Sequence, residues 1–126
     1  MKALVRIVPA TLILFLGLNG VANAGRIFSP TLFQGSGQNV CIVTNVSGAT
    51  RTVTVEIVGF SGAGNSATCT LAPGNPDGCQ AFLNGGGYCR VTATGTSAEV
   101  RQFFRAVMLN RNTTSPFTIN ATVEAR

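Results

Sequence analysis

Apolar and polar positions alternate with a period of two along much of the chain. In residues 52–57, Val53, Val55 and Ile57 fall on one side, and Thr52, Thr54 and Glu56 on the other. That is the pattern of a strand with one face in a core and the other in water. Residues 88–94 repeat it through Cys89, Val91 and Ala93, and residues 117–123 through Phe117, Ile119, Ala121 and Val123. Val40-Cys41-Ile42-Val43-Thr44 is instead a continuous apolar run rich in β-branched residues, again a strand. Shorter strands are predicted at 67–71 and 80–83. Residues 26–33, interrupted by Pro30, read as an edge strand or lead-in, because proline belongs at sheet edges.

The breaks between these runs carry turn chemistry. Ser47-Gly48, the glycine-rich stretch 59–65, Ala72-Pro73-Gly74, Asn84-Gly85-Gly86-Gly87 and Gly95-Thr96-Ser97 each end a strand. Residues 97–110 are the one stretch with helical possibilities, since Glu99, Arg101 and Arg105 could share a helical face. Their β-branched and aromatic content favours a strand over 99–108, with Val100, Phe104, Ala106 and Met108 facing in and Arg101, Phe103 and Arg105 facing out. Seven or eight short strands with almost no helix predict an all-β antiparallel sandwich.

The N-terminus has a different character. Lys2 and Arg6 precede an apolar run at residues 11–18, and Ala22-Asn23-Ala24 places small residues before Gly25. This is the layout of a cleaved Sec-type signal peptide over residues 1–24. It leaves 25–126 as a single sandwich domain, secreted or periplasmic. The apolar run is shorter than the ~20 residues a spanning helix needs, and no transmembrane segment is expected in the mature chain.

Four cysteines in a small exported chain read as two disulfides. Three pairings are possible. The favoured one joins Cys69 to Cys79, which bracket the turn-rich residues 70–78, and Cys41 to Cys89, which would tie two separated strands. Metal ligation would need tight C-x2-C pairs or histidine, and the chain has neither.

Thr44-Asn45-Val46-Ser47-Gly48, the strand that follows, Leu71-Ala72-Pro73-Gly74 and Gly87-Tyr88-Cys89-Arg90-Val91-Thr92 occur in that order. Over roughly residues 40–100 this resembles the immunoglobulin-like sandwiches of bacterial surface proteins, including cell-adhesion-related modules, and small exported bacterial proteins that share the Tyr-Cys-Arg element. The resemblance implies an immunoglobulin-like sandwich and a structural or binding role. It implies no catalytic residue.

Residue types narrow the chemistry further. The chain has no histidine, its only lysine is Lys2, and its four acids are Glu56, Asp77, Glu99 and Glu124. A nucleophile would lack its usual base, and neither a catalytic carboxylate pair nor a cofactor loop is legible. No enzyme activity, cofactor or metal is expected. The glycine groups match no phosphate-binding loop. Asn45, Asn112 and Asn120 head N-x-S/T triplets at a frequency this composition gives by chance.

Arginine is the most suggestive polar feature, with seven arginines beyond the signal against four acids. Arg101, Phe103 and Arg105 on an outward strand face, with Arg111 just past its end, form the candidate binding surface. The expected partner is a protein or an envelope glycan, and so small a positive charge argues against nucleic acid. The chain is therefore expected to be a non-enzymatic structural or binding component of the bacterial envelope or its surroundings. The alternative is a secreted inhibitor or polyanion-binding protein, using the 73–78 loop or the arginine face.

Overall fold

The computed structural model describes residues 23–33, 37–62, 64–75, 77–112 and 119–125. Residues 1–22 of the expected signal peptide, Phe117, and the Thr113 and Thr114 of the Asn112 triplet lie outside these. Eight strands and one short helix follow in the order β1 (Ala24–Phe28), β2 (Gln38–Asn45), β3 (Arg51–Gly59), β4 (Gly64–Leu71), β5 (Cys79–Leu83), β6 (Gly87–Thr94), α1 (Ser97–Phe103), β7 (Phe104–Arg111) and β8 (Ile119–Glu124). They form two four-stranded antiparallel sheets, ordered β1-β6-β3-β4 and β5-β2-β7-β8. The fold is the all-β sandwich with two disulfides that the alternation predicts.

The core lies between the sheets and follows the period of two. Val53, Val55 and Ile57 of β3 and Cys89 and Val91 of β6 face Cys41 and Val43 of β2 and Phe104 and Met108 of β7, all buried. The apolar run in β2 has a further use. Val40 points away from this core, pairs with Leu109 and Phe82 on the outer face of the second sheet, and is fully buried there. A strand covered on both faces reads as a continuous run rather than an alternation.

Both favoured disulfides are present. Cys41–Cys89 links β2 to β6 across the two sheets, and Cys69–Cys79 links the edge strands β4 and β5. Closing loops of 48 and 10 residues stabilises the fold by about 4 and about 3 kcal/mol on the chain-entropy model.

The structure corrects one expectation. Residues 97–103 are helix α1, and the strand begins only at Phe104. The cause is a capping box. Thr96 Oγ1 accepts from the Glu99 amide at 3.3 Å, and the Glu99 carboxylate accepts from the Thr96 amide at 2.7 Å. Two otherwise unpaired amides are satisfied by one four-residue motif. The helix then buries Val100 over Gly25, where a Cβ would come within 2.7 Å of the valine methyl. The chain uses this turn to cross from β6 in the first sheet to β7 in the second. The outward strand row of Arg101, Phe103 and Arg105 is consequently not formed. No helix among the described residues is long and apolar enough to cross a membrane.

Candidate functional site

The four predicted binding residues do not make one surface. Arg101 and Phe103 lie on α1, Arg105 near the start of β7, and Arg111 at its end. The two β7 arginines are six positions apart along the strand, about 20 Å. Phe103 is half-buried against the core and carries the Arg51 guanidinium on its ring, 3.6 Å from the centroid. Arg105 folds back on its own backbone, donating to the carbonyls of Arg101 at 2.6 Å and Phe104 at 3.1 Å. At the other end of the molecule Arg111 donates to Gln38 Oε1 at 3.4 Å and lies over the Phe82 ring. Arg105 and Arg111 are thus held by intramolecular partners at two poles of the sandwich.

A different cluster forms at the end where β1 and β3 finish and β6 begins. Phe28 on β1 is an outward neighbour of Arg90, and Tyr88 on β6 of Val58. Phe33 follows β1 and Phe60 follows β3. The Phe28 and Tyr88 rings lie 6.1 Å apart and the Phe33 and Phe60 rings 5.5 Å apart, both tilted, in the range of favourable aromatic pairs. Phe28, Phe33 and Phe60 are nonetheless 45%, 77% and 57% exposed.

The backbone beneath them is fixed. Leu32 and Gly87 exchange two hydrogen bonds at 2.8 and 2.9 Å, and the Phe60 amide donates to the Gly86 carbonyl at 3.2 Å. Ser29 anchors the departure of β1: its amide donates to the Cys89 carbonyl at 3.0 Å, and its Oγ accepts from the Cys89 amide at 2.9 Å. The glycines of the 85–87 turn make this closeness possible, since a Cβ at Gly87 would collide with the Val58 carbonyl. Beside the rings, Arg90 donates Nε and Nη2 to Glu56 Oε2 at 2.9 and 2.6 Å across β6 and β3. The pair is partly exposed, so its charges stay available at the rim while contributing little to stability.

Several other polar groups have structural partners. The Glu99 carboxyl is held below the usual carboxylate range, first by the Thr96 amide and then by the Thr96 hydroxyl. The 73–78 loop is braced by Gly74 donating to the Asn45 carbonyl at 3.0 Å and Gln80 Nε2 donating to the Asp77 carbonyl at 3.0 Å. All four cysteines are in disulfides. Among the described residues no three of His, Cys, Asp or Glu converge as a metal set would require. Asn45, head of one N-x-S triplet, is fully buried, with both amide hydrogens bonded inside the fold.

The sequence did hold a signal for the aromatic cluster. Phe60 sits in a glycine-rich loop with no alternating partner, and Phe33 follows a proline break, so neither has a strand face on which to be buried. No protein-family model, curated protein or solved structure matches this chain.

Proposed function

We propose that this protein is an exported, immunoglobulin-like, non-enzymatic recognition module. It would bind a protein or glycan of the bacterial envelope or its surroundings through Phe28, Phe33, Phe60 and Tyr88. The observation that carries the reading is the exposure of Phe33 and Phe60, 77% and 57%, on backbone pinned by interstrand and loop hydrogen bonds. Large rigid side chains already ordered before contact lose little entropy on binding, and aromatic residues are enriched where proteins meet partners. Export is supported by the three-part N-terminus and by the disulfides, which persist in oxidising compartments. The non-enzymatic reading rests on the absence of histidine and the dispersion of the four acids.

The immunoglobulin-like element of the reading is supported by the centre of the fold. There β2 pairs with β5 and β3 with β6, and the β2–β6 disulfide spans the sheets, as the B–E and C–F pairs and the B–F bridge do in that fold. The flanking strands depart from it. Here β1 borders β6 and β7 borders β2, the reverse of the usual sheets for the first and seventh strands.

Affinity capture tests the function. The oxidised protein is immobilised and exposed to envelope and secreted fractions. Binding of a saturable partner should be lost in a Phe33→Ala/Phe60→Ala variant and kept in Arg101→Ala/Arg105→Ala. Retention by the phenylalanine variant, with loss in the arginine variant and on adding salt, would favour polyanion binding instead.

A further inference from the structure

The four sheet edges are not protected alike. β1 is short, carries Arg26 and ends before Pro30. β5 has five residues, and β8 bears Glu124. Charge, brevity and proline are the devices that keep a sheet edge from pairing with another chain. β4, Gly64–Leu71, has none of them. Its eight residues, Gly-Asn-Ser-Ala-Thr-Cys-Thr-Leu, include no charge and no proline, and its register with β3 runs unbroken from Val58↔Gly64 to Arg51↔Leu71. Residues 64–66, Thr68 and Thr70 are exposed. Beyond β3, two hydrogen-bond-range neighbours of its backbone appear among the described residues: Asn45 Nδ2, which donates to the Leu71 carbonyl at the strand's last residue at 2.9 Å, and the Cys79 sulfur, 3.7 Å from the Ala67 carbonyl. A disulfide sulfur has no proton to donate there.

We infer that β4 is a self-association edge: two copies pair β4 with β4 antiparallel about a two-fold axis and continue the first sheet across the dimer. The chemistry fits a second copy better than a foreign strand. Added strands draw specificity from pockets that receive their alternate side chains. The inward positions beside this edge are Ala67 and Cys69, the latter closed in its disulfide, so no pocket awaits a partner's side chain. What the edge offers is main-chain pairing plus an outward row of hydroxyls. β4 already pairs in this way on its other side, where Thr70 and Thr68 meet Thr52 and Thr54 with Oγ1 atoms 3.1 and 2.9 Å apart. Antiparallel self-pairing sets Ser66, Thr68 and Thr70 against the same kinds of residue. The strands are neutral while each molecule is net positive, so screening by salt strengthens this dimer.

Sedimentation velocity over a wide concentration range tests it, at low salt and at about 0.5 M NaCl. The expected result is a monomer–dimer equilibrium that tightens with salt. Thr68→Lys, which brings like charges together at the axis, should weaken it about tenfold or more. Thr92→Lys, on the same face but on the interior strand β6, should leave it unchanged. Hydrogen exchange on the unmodified protein, which does not depend on a variant folding, should show amides of 65–69 gaining protection as concentration rises. A monomer at every concentration would overturn the inference. So would a dimer indifferent to Thr68→Lys, protection confined to another strand, or association that weakens with salt.

Discussion

Asn45 uses its whole hydrogen-bonding capacity inside the protein. Its Nδ2 donates to the carbonyls of Ala49 at 2.7 Å and Leu71 at 2.9 Å, and its Oδ1 accepts from the Ser47 amide at 3.0 Å and hydroxyl at 2.7 Å. One side chain thereby joins the end of β2, the turn after it and the end of β4. Replacing it with alanine strands the buried Leu71 carbonyl, and frees the Ala49 carbonyl and Ser47 amide nearer the surface; a buried group left unpaired costs about 1–3 kcal/mol. Asn45→Ala is expected to lower the unfolding free energy by about 3 kcal/mol, since some of these groups will find water. Urea unfolding with an unchanged m-value checks this, and a loss under about 1 kcal/mol would mean the turn holds without the side chain. The sequence showed the turn, because Asn-x-Ser-Gly is turn chemistry. It could not show the burial, which depends on Leu71 arriving from 26 residues away. The exposed phenylalanines are half legible: Phe60 in a glycine-rich loop and Phe33 after a proline break have no strand face to bury them, but their pairing 5.5 Å apart depends on loops that meet only in the fold.

Elements were legible in proportion to how much of their pattern the core dictates. β3 and β6 lie in the middle of a sheet with one face in the core, so their alternation is strict. The pattern conceals α1 because its signal is four residues long, Thr96 to Glu99, inside a stretch whose Val100, Phe103, Phe104 and Val107 suit a strand. Local capping outcompeted propensity there. The same contact makes the helix sensitive to acid. The Glu99 carboxyl titrates below its ordinary value because its charged form accepts from Thr96. The stability it contributes is therefore fully present above the unfolded-state pKa and is lost as pH falls through the lower folded-state pKa. The Glu99 side-chain carbon, followed by NMR, should titrate below a free glutamate, and Thr96→Ala should return it to the ordinary range. The same substitution should lower Tm by about 4 °C. An ordinary midpoint in the unmodified protein would show that the capping box is not held in solution.

At the scale of the whole molecule the two disulfides do different work, which their burial makes measurable. Cys41 and Cys89 are fully buried at the centre of the sandwich, each in a different sheet, so a reductant reaches them only when the sheets separate. Cys69–Cys79 lies at the β4 and β5 edges, where Cys69 is only half-buried, and a thiolate can attack without global opening. Mild reduction followed by alkylation should therefore label Cys69 and Cys79 first. Labelling of Cys41 and Cys89 should appear only at the rate of global unfolding and accelerate with urea. Turn-rich spacing made Cys69–Cys79 the natural local pair, and it is the one that closes an edge. The pair 48 residues apart holds the layers together, a role visible only once β2 and β6 are known to lie in opposite sheets. Simultaneous labelling of all four cysteines would mean that the edge bridge is as protected as the central one. β4 would then open only with the whole sandwich, and a β4–β4 contact in the folded protein would have to form on a strand as rigid as the core.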